Sequence, residues 1–147
     1  MVDESIKTPE MTVSEIMIAP VITLTPKMKL WQVAELFVAK KISGAPLVDE
    51  SGKMISIIGQ GSLLRLLAKH GTESNIARCM SELTPIDRMI TLRKDALFKT
   101  AYLLFLKHGI HRIPILDGTG KVVGLLSRSS VFKMIVEAHH GKKIPAA

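Results

Sequence analysis

A length of 147 residues with 47% apolar content can fill one small core, or two very small ones, and only 4% of the residues are aromatic, so Leu, Ile, Val and Met must do the filling. The single cysteine, Cys79, excludes an intramolecular disulfide and fits a reducing compartment. The net charge of +7 is scattered over Lys40, Lys41, Arg65, Lys69, Arg93, Lys94, Arg128, Lys142 and Lys143, with few rings to stack on bases; it reads first as solvated basic surface, then as a surface for an anionic ligand or acidic partner, and a nucleic-acid role is not expected.

In chain order, residues 1–10 read as a tail. The opening MVDESIKTPEM carries acids early and no apolar stretch follows it, so it does not read as a signal peptide. No apolar run approaches the roughly 20 residues of a membrane span. The expectation is a soluble, cytoplasmic protein that reaches a membrane only through a partner.

Residues 11–70 form a first unit. A strand is expected over Val21–Leu24, then an amphipathic helix carrying Leu30, Val33, Ala34 and Phe37 at helical spacing. A β run starts at Pro46, where a first strand residue need not donate to a ladder. Asp49-Glu-Ser-Gly52 supplies a turn, Met54–Ile58 a further strand, and Ser62–Lys69 a closing helix. Residues 70–81 connect the halves and include a short helix, whose Ile76-Ala-Arg-Cys-Met80 resembles Val13-Ser-Glu-Ile-Met17. The second unit, 71–138 with this connection, repeats the order: strand Met89–Leu92, helix with Phe98, Ala101, Tyr102 and Phe105, β run from Pro114, turn Asp117–Gly120, strand Val122–Leu126, helix Ser130–Ala138. Residues 139–147 read as a second tail.

The two units are copies. Sliding residues 21–69 onto 89–137, an offset of 68, makes eleven of 49 positions identical, among them Ile22/Ile90, Phe37/Phe105, Pro46/Pro114, Asp49/Asp117, Gly52/Gly120 and Ser62/Ser130. The fold class is therefore α/β, two β-α-β-β-α repeats. One copy cannot bury both faces of a three-stranded sheet, so the two are expected to pack together with pseudo-two-fold symmetry.

Catalytic chemistry is missing. His139 and His140 are neighbours and point about 100° apart on a helix, which suits no single metal. His108 and His111 straddle Gly109, where a helix should end, and Cys79 has no histidine nearby in sequence. No phosphate-binding loop, nucleophile elbow or dinucleotide fingerprint occurs. No enzyme, metal or required cofactor is expected.

The order I-M, P-V-I-T-L, helix, I-S-G-A-P-L-V-D-x-x-G-K in the first copy resembles the CBS domain, named after cystathionine β-synthase. In the second copy, KHGIHRIPILDGTGKVVGLLSRSSVF looks like the repeats of the AMP-activated protein kinase gamma subunit. The resemblance spans about residues 11–138 and implies a Bateman-type module, a paired sensor of adenosine derivatives such as AMP, ADP, ATP, S-adenosylmethionine, NAD-type or cyclic dinucleotides. It further implies two clefts near the pseudo-two-fold axis, a homodimer, and an effector protein that could be a transporter, a kinase or a metabolic enzyme.

The family stretch G-h-h-[ST]-x-x-D places a hydroxyl on phosphate or ribose and an Asp on the ribose hydroxyls. In the second copy Ser127 keeps the hydroxyl and Ser130 replaces the Asp. His111 and Arg112 stand where kinase gamma repeats put phosphate-contacting basic residues, Arg128 adds charge, and Ile113, Pro114 and Ile90 would hold the adenine. In the first copy Gly59 and Ser62 replace both polar contacts, so a cleft built from Ile22, Ala45, Pro46, Gly59 and Ser62 reads as degenerate. Ser62 and Ser130 both suit a helix N-cap. Two functions stay open: ligand sensing in the second cleft, and a ligand-independent dimerisation or docking module with both clefts decayed.

Overall fold

The first strand expected in each repeat is cut short by a proline. In the computed structural model, which describes residues 10–141, the Leu24 amide donates to the Pro46 carbonyl at 2.8 Å. The Val48 amide donates to the Leu24 carbonyl at 2.9 Å, completing one parallel rung. The next rung would need an N–H on Pro46, which has none. The strand expected at Val21–Leu24 is thus a single bridge at Leu24. The one expected at Met89–Leu92 becomes β3, only Leu92–Arg93, paired in parallel with Ile115 and Leu116 beside Pro114. Both prolines also sit third in their strands, β1 (Gly44–Val48) and β4 (Arg112–Leu116), instead of opening them, because their donorless side faces the short partner.

The remaining elements follow the expected periodicity. Helix α1 (Leu30–Lys40) buries Leu30, Val33 and Phe37, and α3 (Phe98–His108) buries Phe98 and Ala101. β1 pairs antiparallel with β2 (Met54–Gly59), and β3, β4 and β5 (Val122–Ser127) form a sheet in that order. Between the hairpin strands Gly52 and Gly120 take φ of 87° and 88°, the positive values those turns require. The Asp49 carboxylate accepts from the amides of Ser51 and Lys53 and from the Ser51 hydroxyl, and that hydroxyl above all holds its pKa below the usual carboxylate range. Helices α2 (Gln60–His70) and α4 (Arg128–His140) each begin two residues before their expected starts, and α4 takes in His139 and His140. The rest of the expected tails, with Lys142 and Lys143, lies outside the described residues.

The sequence repeats are not the units that pack. One unit comprises Val21–Met89 with Thr119–Val122; the other comprises the described residues up to Pro20, Ile90–Gly118, and those from Val123 on. The boundary at residue 70/71 therefore does not divide the structure. The reason lies in two short 3-10 segments at the repeat heads, Val13–Glu15 and Ile76–Glu82. Val13 donates to the Ala96 carbonyl at 2.8 Å and is buried with Ala101, Ile113, Ile115 and Leu126 of the second repeat. Ile76 donates to the Met28 carbonyl at 2.9 Å and, with Cys79, is buried among Leu24, Leu30, Val33 and Phe37 of the first. Each head closes the other repeat's core. Ile18 extends this docking by bridging antiparallel to Leu125 in β5, and Met17 lies against Gly124, where an added Cβ would stand 2.7 Å from Met17 Cγ.

Helix ends distinguish the two copies. Helix α3 stops at Gly109 in the left-handed region (φ 59°), whereas α1 stops at the equivalent Lys41 with φ 53°. A side chain there is strained and a glycine is not. Lys41→Gly is expected to raise unfolding stability by about 0.5–1 kcal/mol, measured by urea denaturation; an unchanged or lower value would mean the lysine stem contributes packing that offsets the strain.

Candidate functional site

The residues proposed from sequence fall at one end of each hairpin. Gly44 at the start of β1 pairs with Gly59 at the end of β2, and Ala45 pairs with Ile58. By the offset of 68, Arg112 at the start of β4 corresponds to Gly44 and Ser127 at the end of β5 to Gly59. His111 is exposed just before β4, and Arg128 and Ser130 occupy the first turn of α4. The second-repeat set is thus gathered at a strand-to-helix corner. Ile113 is fully buried, and Ile90 packs against the same core cluster. Ala45 and Pro46 are likewise buried in β1, while Ile22 is half-buried on the segment leading to Leu24.

At the second corner much of the polar chemistry is already engaged. The N-cap of α4 is Ser127, not Ser130: the Ser127 hydroxyl accepts from the Ser130 amide at 3.3 Å, and the Ser127 amide donates to the Ser130 hydroxyl at 3.4 Å. This reciprocal arrangement is a capping box, and it leaves Ser130 buried at 6% exposure. Arg128 donates from Nε to the Ile110 carbonyl at 3.0 Å and from Nη2 to the Gly109 carbonyl at 2.8 Å. Its guanidinium ties the end of α3 to the start of α4. Arg112 is half-buried, and burial draws its pKa below the ordinary arginine value.

The first corner lacks these features. Helix α2 starts after Gly59, which has no side chain to cap it, and Ser62 lies inside the first turn, accepting from Arg65 Nη2 at 3.4 Å. Ser62 is therefore not the cap expected for it, because the helix begins before it. Elsewhere, the Ser56 hydroxyl, 1% exposed, donates to the Thr84 carbonyl at 2.7 Å, and burial pushes the Cys79 thiol up, which makes a thiolate harder to form. No cluster of three metal-capable side chains occurs among the described residues, and no described helix is long and apolar enough to cross a membrane.

Ser127→Ala removes a working cap and is expected to cost about 1 kcal/mol of stability, whereas Ser62→Ala is expected to cost less than about 0.5 kcal/mol. Paired urea titrations of the two variants check this; equal losses would contradict the different cap positions.

The comparisons with known proteins follow this geometry. The family model of the CBS domain matches residues 13–69 and 80–137, nearly the same two copies. Uncharacterized protein MJ1232 of Methanocaldococcus jannaschii is 31% identical over 127 residues, which cover 86% of this chain and 40% of that protein. An inosine-5'-monophosphate dehydrogenase of Aquifex aeolicus is 27% identical over 117 residues, covering 80% of this chain and 23% of the dehydrogenase. The chain thus spans well under half the length of these two relatives. Among solved structures, the CBS domain pair of protein MJ0100, in complex with 5'-methylthioadenosine and S-adenosyl-L-methionine, has a TM-score of 0.72 and 25% identity over 92% of this chain and all of its own. CBSX2 of Arabidopsis thaliana, in complex with AMP, has a TM-score of 0.74 at 23% identity, covering 88% of this chain and 98% of its own. With the family model matched twice across most of its length, the chain belongs to the CBS domain family and carries a CBS pair.

Proposed function

We propose that this chain is a cytoplasmic regulatory module that takes an adenosine-type nucleotide, or a related anionic adenosine derivative, at the second-repeat corner and passes its occupancy to a partner protein. The observation that carries this reading is the charge contrast between equivalent corners. His111, Arg112 and Arg128 stand where the first repeat has Ser43, Gly44 and Gln60. Burial disfavours the charge on Arg112, and a phosphate beside it would restore part of what that burial forfeits. The adenosine ligands in the complexes of MJ0100 and CBSX2 support the ligand class. With Ser130 where an Asp would grip the ribose, affinity is expected to fall by about 1.5–3 kcal/mol, one to two decades. In this reading the module catalyses nothing and needs no resident cofactor.

A second reading, a docking module with no ligand, draws on the engagement of Ser127 in a cap and of Arg128 on two carbonyls. A calorimetric and thermal-shift screen separates the two, using AMP, ADP, ATP, S-adenosylmethionine, NADH and cyclic dinucleotides. A ligand at 100 times its dissociation constant adds about 2.7 kcal/mol of stability. The expected result is a hit among the phosphorylated compounds that Arg112→Ala weakens at least about tenfold. No heat and no shift at millimolar concentration would favour the docking reading.

The same proposal includes a partner of the same kind, a second copy of this chain. Val38 and Leu106 are 79% and 59% exposed, and Leu64 and Phe132 are 69% and 63% exposed. These are two equivalent pairs at the repeat offset. Single exposed apolar residues are ordinary, but the same two positions left bare in both repeats are not scatter. Leu106 and Phe132 also border one groove of about 290 Å³ with Tyr102, Phe105 and Ile135. A second copy offers matching patches for an isologous contact. Sedimentation equilibrium is expected to show a dimer that Leu64→Ser with Phe132→Ser weakens by about tenfold or more, with the unfolding midpoint of dilute monomer unchanged. A monomer throughout, or a dimer indifferent to both changes, would remove this partner.

A further inference from the structure

Helix α3 ends at a bend that turns in open space. Gly109 sits there with φ 59°, its amide donates to the Phe105 carbonyl at 3.1 Å, and a Cβ added to it would meet nothing within 4 Å. The next residue, Ile110, packs its side chain against the core cluster of Ile113 and Ile115. The carbonyls of these two residues converge on one group, since Arg128 donates to Ile110 from Nε at 3.0 Å and to Gly109 from Nη2 at 2.8 Å. Carbonyls at a helix C-terminus lack partners within the helix, and the backbone dipole there favours a cation. A planar guanidinium that takes two of them at once fixes their relative position. Immediately beyond the bend come His111, which is exposed, and Arg112, which opens β4. The first repeat secures its equivalent bend through the backbone. There the Ile42 amide donates to the Phe37 carbonyl at 3.1 Å and the Gln60 amide to the Ser43 carbonyl at 3.0 Å. The side-chain fork and the basic pair beyond it thus occur in the same repeat, and the other repeat has Gln60, Ser43 and Gly44 at those positions.

We propose that Arg128 is a positioning residue of the second-repeat corner: its fork on the Gly109 and Ile110 carbonyls sets the bend that presents His111 and Arg112, and it serves an anion through them instead of binding it. The identity of that anion rests on the nucleotide reading above; the fastening of the bend does not. Turning Arg128 toward a phosphate would give up two charge-assisted bonds and leave two carbonyls at the end of α3 without their partner. Its stem is also placed, bordering the groove of Tyr102, Phe105 and Phe132. Arg112 stands two residues past the second carbonyl, so its starting position follows the bend. Holding a segment in its binding conformation beforehand removes part of the ordering cost of association. The fork and the segment it holds lie in one packing unit, so this effect needs no movement between units.

Two measurements on the whole chain test this, the first without any ligand. In hydrogen exchange, Arg128→Met is expected to cost peptides covering residues 109–113 about three- to tenfold of their protection, while peptides of β1 and β2 do not change. Unchanged exchange at 109–113, or an equal loss in β1 and β2, would overturn the proposal. The second is a calorimetric double-mutant cycle with AMP as the probe. Arg128→Met is expected to weaken binding about three- to tenfold in the parent chain and by less than about twofold once Arg112→Ala is present. Losses that multiply would make Arg128 an anion contact in its own right and overturn the proposal. Arg128→Lys keeps the charge without the planar fork and is expected to behave like Arg128→Met. Full recovery of AMP affinity by the lysine, with exchange at 109–113 still raised, would assign the effect to charge and overturn it too. A parent chain that ignores AMP counts against the nucleotide reading alone, and the exchange result then decides the fastening by itself.

Discussion

Burial of the two repeat heads is the constraint on which the rest of this structure depends. A two-strand hairpin extended by one short parallel rung cannot close a core alone. Val13 and Ile76, both fully buried, finish the closure, and each does so in the core of the other repeat. Fully burying such a side chain is worth about 1.5–3 kcal/mol, a substantial part of the margin of a small domain. The consequences reach the candidate site, because docking of residues 12–18 on the second repeat puts Ile18 against Leu125 and Met17 against Gly124, two and three residues before Ser127.

Much of the fold was legible because duplication supplies its own control. A proline, an Asp-to-Gly turn and an apolar stripe that recur at one offset check one another, and helices, hairpins and turns formed at those signals. The likeness of Ile76–Met80 to Val13–Met17 was legible too, and both are 3-10 segments at a head. What could not be read was where those heads would dock. Hydrophobic pattern reports that Val13 and Ile76 want burial and says nothing about which core receives them. The first strands failed for a local reason: β-branched runs at Val21–Leu24 and Met89–Leu92 looked able to pair, but the pairing surface belongs to Pro46 and Pro114.

The positions of the proposed site residues in the fold followed from the sequence more readily than their bonding did. Ser127, Arg128 and Ser130 lie together because strand end and helix start are contiguous in sequence, and Arg112 opens the neighbouring strand β4. The error about caps came from assuming that strand and helix are separated by a loop. Here β5 runs directly into α4, so the residue that ends the strand is also the cap. The spacing Ser-x-x-Ser was the available signal, since a hydroxyl three residues after a capping serine can return the bond. The role of Arg128 as a tie to Gly109 and Ile110 spans 18 and 19 residues, a separation that no local pattern encodes.

The exchange of heads also sets an order of assembly on the ribosome. The packing unit that holds the first repeat is nearly continuous in sequence, from Val21 to Met89, and lacks only the four-residue stretch Thr119–Val122. It can gather most of its core while the second repeat is still being made. Residues 12–18 are made ahead of that unit yet find their partners only around Ala96, Leu97 and Leu125. They must wait, tethered, until the stretch through Leu125 has emerged, and the loop they close is long. Residues made before either core are in this way placed only once the second core has been made.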